Sequence, residues 1–151
     1  ASPYDALNGL RGIRTLPIRL RQQSTSALQI ATALQDHPQV SCVMYPHLSS
    51  HPQHELAMKQ MSCGGSLVAF EIAGGIDAVR RTFAALKIVR SATSFGGPET
   101  LLCHPQTSTH VGLPADMLAA MGVTDGLVRL SVGLEHPDDI ITDVVAALSA
   151  R

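Results

Sequence analysis

Apolar residues recur at helical spacing through the first part of the chain: Leu7 and Leu10, then Leu20, Ala27, Ile30, Ala31 and Leu34. That period belongs to a helix with one buried face, and it predicts helix from about Pro3 to His37. Pro17 interrupts the stretch, because proline lacks the N–H the helical ladder needs and its ring crowds the preceding turn. His37-Pro38 ends it. Val40 to Tyr45, a short run of β-formers closed by Pro46, reads as a strand. Ser50-His51-Pro52-Gln53 then predicts a helix start, with Ser50 as cap, Gln53 completing a capping box and Pro52 in the first turn. That helix is expected to reach about Met61.

Gly64-Gly65 breaks the pattern and Ser66 to Ile72 reads as a second strand. After Gly74-Gly75, Asp77 is expected to lead a helix with Val79, Phe83 and Leu86 on one face. Val89 to Ser94 and Thr100 to His104 are short strand candidates on either side of Gly96-Gly97-Pro98. Pro105 to Pro114 is polar and reads as a loop. Pro114 starts a helix that Gly122 ends. Leu127 to Val132 is a strand. Pro137-Asp138-Asp139 opens the last helix, its acids placed where the helix dipole favours them, with Ile140, Ile141, Val144, Val145 and Leu148 as the buried stripe. Helices and strands alternate, so the expected class is α/β (α+β): two layers, a small mixed or antiparallel sheet covered by helices. The pattern does not fix strand order.

Composition narrows the function classes. The 151 residues are 45% hydrophobic and 15% charged, with a net charge of −1, which excludes disorder driven by charge and the basic footprint of a nucleic-acid binder. No apolar run approaches a membrane span. No signal-peptide pattern opens the chain, so the expected location is cytoplasmic. Cys42, Cys63 and Cys103 are odd in number and widely spaced, which signals neither a zinc site nor a disulfide framework. Lysine is scarce: Lys59 and Lys87 are the two in the chain.

Three segments could carry chemistry. In Leu127-Val128-Arg129-Leu130-Ser131-Val132, alternation puts Arg129 on the face opposite Val128 and Leu130. A guanidinium in so apolar a run needs a partner. An anion on that face would serve, because the fork can donate two parallel hydrogen bonds to a carboxylate. An internal salt bridge or a solvated sheet face are the other readings. Ser91 to Thr100 combines hydroxyls with paired glycines, which suits either close backbone approach to a polar ligand or a turn between strands. His51 and His54 lie three apart, yet no third ligand and no HExxH pattern accompany them, so no metal site is expected and helix capping explains the segment better.

Taken together these segments resemble the PLP-dependent enzymes of cysteine and methionine metabolism. Leu10-Arg11-Gly12-Ile13-Arg14-Thr15-Leu16 is similar to the family's Arg-Gly-Leu-Lys-Thr-Leu stretch. Tyr45-Pro46, Ser50-His51-Pro52-Gln53-His54-Glu55-Leu56 and Gln60-Met61 resemble its Tyr-Pro…Ser-His-Pro-x-His-x-Leu…Gln-Met run. Ser94-Phe95-Gly96-Gly97-Pro98-Glu99-Thr100-Leu101 is similar to Ser-Leu-Gly-Gly-x-Glu-Ser-Leu, and Thr109-His110 to the Thr-His that follows. Gly122 to Glu135 resembles Gly-Ile-x-Asp-x-Leu-Ile-Arg-Leu-Ser-Val-Gly-Ile-Glu, and Asp139 to Asp143 resembles Asp-Leu-Ile-x-Asp. The likeness runs in order along nearly the whole chain.

The resemblance implies the small C-terminal domain of a fold-type I PLP-dependent transferase, of the cystathionine γ-synthase, cystathionine γ-lyase or methionine γ-lyase kind. Residues 1–37 would be a helical segment linking to a PLP domain absent from the chain, and 38–151 the C-terminal α/β domain. Implied partners are that PLP-binding domain, an amino-acid substrate and, for the full-length enzyme, a homotetramer, with no nucleic acid and no membrane. Arg129 inherits the role of binding the substrate α-carboxylate, and Ser94 a place beside substrate and cofactor. Thr93 and Phe95 flank it, Phe95 standing for the usual Leu. Glu99 stands where the family's Glu influences substrate preference, and Thr109 supports this loop network. Departures from the family pattern fall at Pro17, Gln23, Ser26, Thr93, Pro98 and Thr100. The chemistry needs a Schiff-base lysine. Neither Lys59 nor Lys87 has the small hydroxylated flanks shown by the family's PLP lysine, so the chain alone is expected to bind no PLP and to be inactive. A stand-alone α/β binding or oligomerisation module is the alternative.

Overall fold

The computed structural model describes residues 2–150; Ala1 and Arg151, the outer ends of the two segments expected from sequence, lie outside the described residues. The first helical stretch is divided where proline requires it. Helix α1 spans Pro3–Arg14 and α2 spans Leu16–Gln35. Thr15 between them closes α1 and opens α2, because Pro17 cannot donate to the Ile13 carbonyl and its ring would crowd it. Ser2 and Asp5 form a capping box at the start of α1. No residue of α1 is buried, and Tyr4, Leu7, Leu10 and Ile13 all stand in solvent. By contrast, α2 buries Ala27, Ile30, Ala31 and Leu34 in the same core as the sheet.

Five strands follow: β1 (Val40–Met44), β2 (Leu67–Ile72), β3 (Arg90–Ser91), β4 (Leu101–Cys103) and β5 (Leu127–Ser131). They lie in the order β1-β2-β5-β4-β3, with β5 central. All neighbours are antiparallel except the β3–β4 pair at one edge, which is parallel, so the sheet is mixed. Register sorts the side chains into two faces. Val68 and Phe70 of β2, Leu102 of β4, and Val128 and Leu130 of β5 are buried with Ile30 and Leu34 of α2 and with Ile140, Val144 and Leu148 of α6 (Pro137–Leu148). The alternate residues Leu67, Ala69, Glu71, Leu127 and Arg129 occupy the other face and remain partly exposed. Helices therefore cover one face of the sheet and leave the other partly open.

Several local expectations are corrected. The helix after β1 is α3 (His54–Gln60), and it has no side-chain cap. The Ser50 hydroxyl instead accepts from Gln35 Nε2 at 2.6 Å, so the expected capping box does not form. Residues 46–53 are successive turns in which His51 Nδ1 accepts from the Gln53 N–H at 3.2 Å, while His54 Nδ1 bonds the Pro46 carbonyl at 3.2 Å. Helix α4 (Gly75–Ala85) begins two residues before Asp77, because Gly74 and Gly75 take φ of 97° and 64° and turn the chain sharply out of β2. Leu86 falls just past its end but still packs on the core. The strand expected over Val89–Ser94 contracts to β3, and the predicted loop contains a 3-10 turn, Pro105–Thr107, before α5 (Ala115–Ala120).

His104 ties that turn to the start of β5. Its Nε2 bonds the Asp125 carbonyl at 3.1 Å, which requires the Nε2–H form, so Nδ1 accepts from the Thr107 hydroxyl at 2.8 Å. Burial lowers its pKa below the ordinary 6.5. The unfolded chain therefore binds the extra proton first, and the contribution of His104 to stability is present above about pH 6.5 and lost as pH falls through that value. Thermal unfolding between pH 8 and pH 5 should show a decline that is shallower in His104→Asn; parallel profiles for the two proteins would refute the assignment.

Candidate active site

Arg129 sits at the middle of the central strand, opposite Ala69 on β2 and Cys103 on β4. Both neighbours are small, so the guanidinium lies over the sheet without obstruction. Its Nη2 donates to the Thr93 carbonyl at 2.7 Å and to the Ser94 carbonyl at 3.3 Å. Its carbon lies 5.2 Å from the centre of the Phe95 ring, within cation–π range. Nε is shielded from solvent and has no acceptor. The charged contacts among the described residues are the Arg80–Asp77 ion pair and an approach of the His136 ring to Asp138 at 3.7 Å, both exposed, and neither involves Arg129. The internal salt bridge offered as one reading of the sequence is absent among the described residues. What remains is an oriented cation with an unfilled fork, on the open face of the sheet.

The segment that orients it is fastened from several sides. Gln23 of α2, one of the departures from the family pattern, donates Nε2 to the Gly97 carbonyl at 2.7 Å and to the Val132 carbonyl at 3.0 Å. The Ser131 hydroxyl accepts from Gly96 N–H at 3.0 Å, and Leu134 N–H donates to the Pro98 carbonyl at 2.7 Å. Beyond the glycines, the Glu135 carboxylate accepts from Thr100 N–H at 2.8 Å and from its hydroxyl at 2.7 Å. That hydroxyl accepts in turn from Gly133 N–H at 2.8 Å. A β-carbon at Gly133 would strike the Pro98 carbonyl and the Glu99 backbone, so this packing admits only glycine there.

Thr93, Ser94 and Phe95 are thus brought together with Arg129, and all three are exposed on the side away from the core. Glu99 belongs to the same loop, but its carboxylate folds back over Gly97 and makes no hydrogen bond to the cluster. Thr109 is exposed in the loop beyond β4 and bonds the His110 ring at 2.8 Å rather than Arg129. A cleft of about 740 Å³ opens beside Thr93, lined among others by Phe83, Ser91, Cys103 and His104. The sequence reading missed Gln23 as a contact, and also Ser131, Glu135 and Asp143. A signal existed for two of them: Gln23 and Asp143 both fall on the buried stripe of their helices, where a polar side chain needs a partner.

A family model described as Cys/Met metabolism PLP-dependent enzyme matches residues 1–149. The chain belongs to that family. An L-methionine gamma-lyase of Pseudomonas deceptionensis is 44% identical over 99% of this chain. A cystathionine gamma-lyase of Dictyostelium discoideum is 41% identical over 97% of it. A cystathionine gamma synthase of Xanthomonas oryzae pv. oryzae, solved with cystathionine, superposes with a TM-score of 0.93 at 43% identity over 99% of this chain. This member of the family spans 37% and 38% of the length of the two lyases and 38% of that structure, so it corresponds to a part of a larger enzyme. The family implies pyridoxal phosphate in the full-length protein. Among the described residues no helix is long and apolar enough to cross a membrane.

The Thr100 clamp yields a stability prediction. Thr100→Val keeps the shape but leaves the buried Gly133 N–H and one Glu135 oxygen unpaired, which costs about 1–3 kcal/mol. Thr25→Val, at an exposed site where the hydroxyl bonds Arg21 O, is the control and should cost well under that. Equal denaturation midpoints for the two variants would contradict the clamp.

Proposed function

We propose that this chain is the C-terminal, substrate-binding and active-site-closing domain of a PLP-dependent enzyme acting on cystathionine or an activated homoserine by γ-elimination or γ-replacement. The observation that carries the reading is Arg129: a guanidinium on the central strand, held by two backbone carbonyls, with no carboxylate partner among the described residues. An amino-acid α-carboxylate fits that fork in shape and charge. The cystathionine in the Xanthomonas structure is a ligand of that class.

In this reading Arg129 binds and orients the substrate through its carboxylate. The Thr93 and Ser94 carbonyls hold the fork in place, and the Ser94 hydroxyl lies beside the bound amino acid. Phe95, which is 63% exposed, stacks on the guanidinium and shapes the wall of the pocket. Glu99 and Thr109 act further out, Glu99 on the choice of substrate side chain and Thr109 on the loop that borders the site. The residues present do not fit the cofactor itself. Lys59 is exposed on α3, Lys87 is exposed just before β3, and neither bonds to the Arg129 cluster. Pyridoxal phosphate, carried on a lysine of the remaining part of the enzyme, would supply the electron sink that the elimination needs. The exposed Tyr4, Leu7, Leu10 and Ile13 of α1 and the open sheet face would then be covered by the PLP-binding domain and by neighbouring subunits of a homotetramer.

Two measurements test this. In the full-length enzyme, Arg129→Ala should cost about 2–5 kcal/mol in kcat/KM for cystathionine, roughly 30-fold or more, as expected when a desolvated charge loses its partner. Unchanged kinetics would remove the carboxylate role. The isolated chain, mixed with pyridoxal phosphate and reduced with borohydride, should show no stoichiometric adduct at Lys59 or Lys87 by mass spectrometry. A single fully labelled lysine would contradict the division of labour.

A further inference from the structure

The carbonyls that hold Arg129 belong to a segment with little sheet support of its own. β3 is two residues long, lies at the sheet edge and pairs only through Arg90 and Ser91 with Leu101 and Leu102. Lys87, Ile88 and Val89, which lead from α4 into β3, carry turn-like backbone outside any helix or strand except for their approach to Arg90. Val89 is buried, and a backbone N–H in such a place has to find an acceptor. All three N–H groups find the same one. Asp143 of α6 accepts from Lys87 N–H at 2.9 Å through Oδ1, and from Ile88 and Val89 N–H at 2.9 Å each through Oδ2. Asp143 is buried, and no cation pairs with it among the described residues.

Successive N–H groups converging on one anion form a backbone nest, and each bond to a carboxylate is charge-assisted. An alkyl side chain would serve the packing of α6 at this position, since Ile140, Val144 and Ala147 line the same buried face. What the carboxylate adds is a fixed position for the backbone of residues 87–89. The same backbone continues through β3 to the Thr93 and Ser94 carbonyls that aim Arg129.

We infer that Asp143 is a positioning residue for carboxylate recognition: it anchors the entry to β3 and, through the Thr93 and Ser94 carbonyls, sets the direction of the Arg129 fork. This rests on the reading of Arg129 as the carboxylate-binding residue. Asp143 does not touch substrate. Loosening the segment misaims the fork, so it weakens ligands that carry an α-carboxylate and spares those that do not.

The test uses the full-length enzyme with its cofactor and two probes. L-Norleucine carries the α-carboxylate but no leaving group; 1-aminopentane is the same molecule without the carboxylate. Binding of each is read from the change in cofactor absorption for wild type, Asp143→Asn, Arg129→Lys and the double variant. Asp143→Asn should weaken norleucine on the order of tenfold, leave aminopentane within about twofold, and add little in the Arg129→Lys background. Unchanged norleucine affinity in Asp143→Asn, with Arg129→Lys impaired, overturns the positioning role and leaves the reading of Arg129 standing. An unimpaired Arg129→Lys overturns that reading and the positioning role with it. Parallel loss of both probes in Asp143→Asn marks a purely structural residue and also overturns the inference. Should Asp143→Asn fail to fold, Asp143→Glu, which keeps the charge but displaces the oxygens by one methylene, is measured against the same outcomes.

Discussion

Arg129 carries a full positive charge on the central strand, and the described residues give it two carbonyl oxygens but no carboxylate. Carbonyls orient a guanidinium without neutralising it. A salt bridge would have done the reverse, satisfying the charge and closing the fork. The acid on the same sheet face nearest in register is Glu71, opposite Leu127 and so one diagonal step away, and it forms no ion pair with Arg129. Aim is therefore fixed while charge stays available, which is the arrangement a carboxylate-binding site requires.

Two acids that flank this loop in the fold are used on the backbone. Glu135 holds Thr100 at the far end of the loop, and Asp143 holds residues 87–89 before it. Gln23 reaches across from α2 to the Gly97 carbonyl between them and to the Val132 carbonyl. A loop rich in glycine and hydroxyl residues is flexible by composition, and here three distant side chains remove that freedom. The sheet and α2 thus act as one frame for the Thr93–Phe95 segment, and the α2 helix belongs to the site as well as to the core.

Elements with strong local signals were legible in the sequence. Alternation in Leu127–Ser131 placed Arg129 on the face opposite Val128 and Leu130, and the structure agrees. Of the five residues expected on the buried stripe of α6, Ile140, Val144 and Leu148 are buried, while Ile141 and Val145 prove only half-buried. Pro17 divided the first helix as its chemistry demands. Less legible was anything decided by a distant partner. Ser50 has every feature of a helix cap, yet Gln35 claims its hydroxyl. Asp143 sits among apolar neighbours in sequence and Gln23 in the polar run Arg21–Ser26, and the partners of both lie more than fifty residues away. Local propensity holds no information about such pairs. The grouping of Thr93, Ser94 and Phe95 with Arg129 rests on family resemblance, because the composition of the segment by itself favours a turn between two strands.

The open face bears on how this site can work. An arginine–carboxylate pair in contact with water contributes about 0–1 kcal/mol, since the dielectric weakens the attraction and both groups are already hydrated. Shielding from water strengthens the attraction within the same pair, against the cost of desolvating both groups, and makes the loss of either partner far more costly. Arg129 is half-shielded, with Nε covered and Phe95 exposed over it. On the proposed reading, the frame built by this chain supplies direction, and covering of the face by the remaining part of the enzyme supplies strength. Recognition of the carboxylate then becomes coupled to closure of the site: the fork grips firmly only when the two parts meet around the substrate. A domain that is aimed in advance but weak alone discriminates against carboxylates in bulk solvent and commits its charge only where the chemistry occurs.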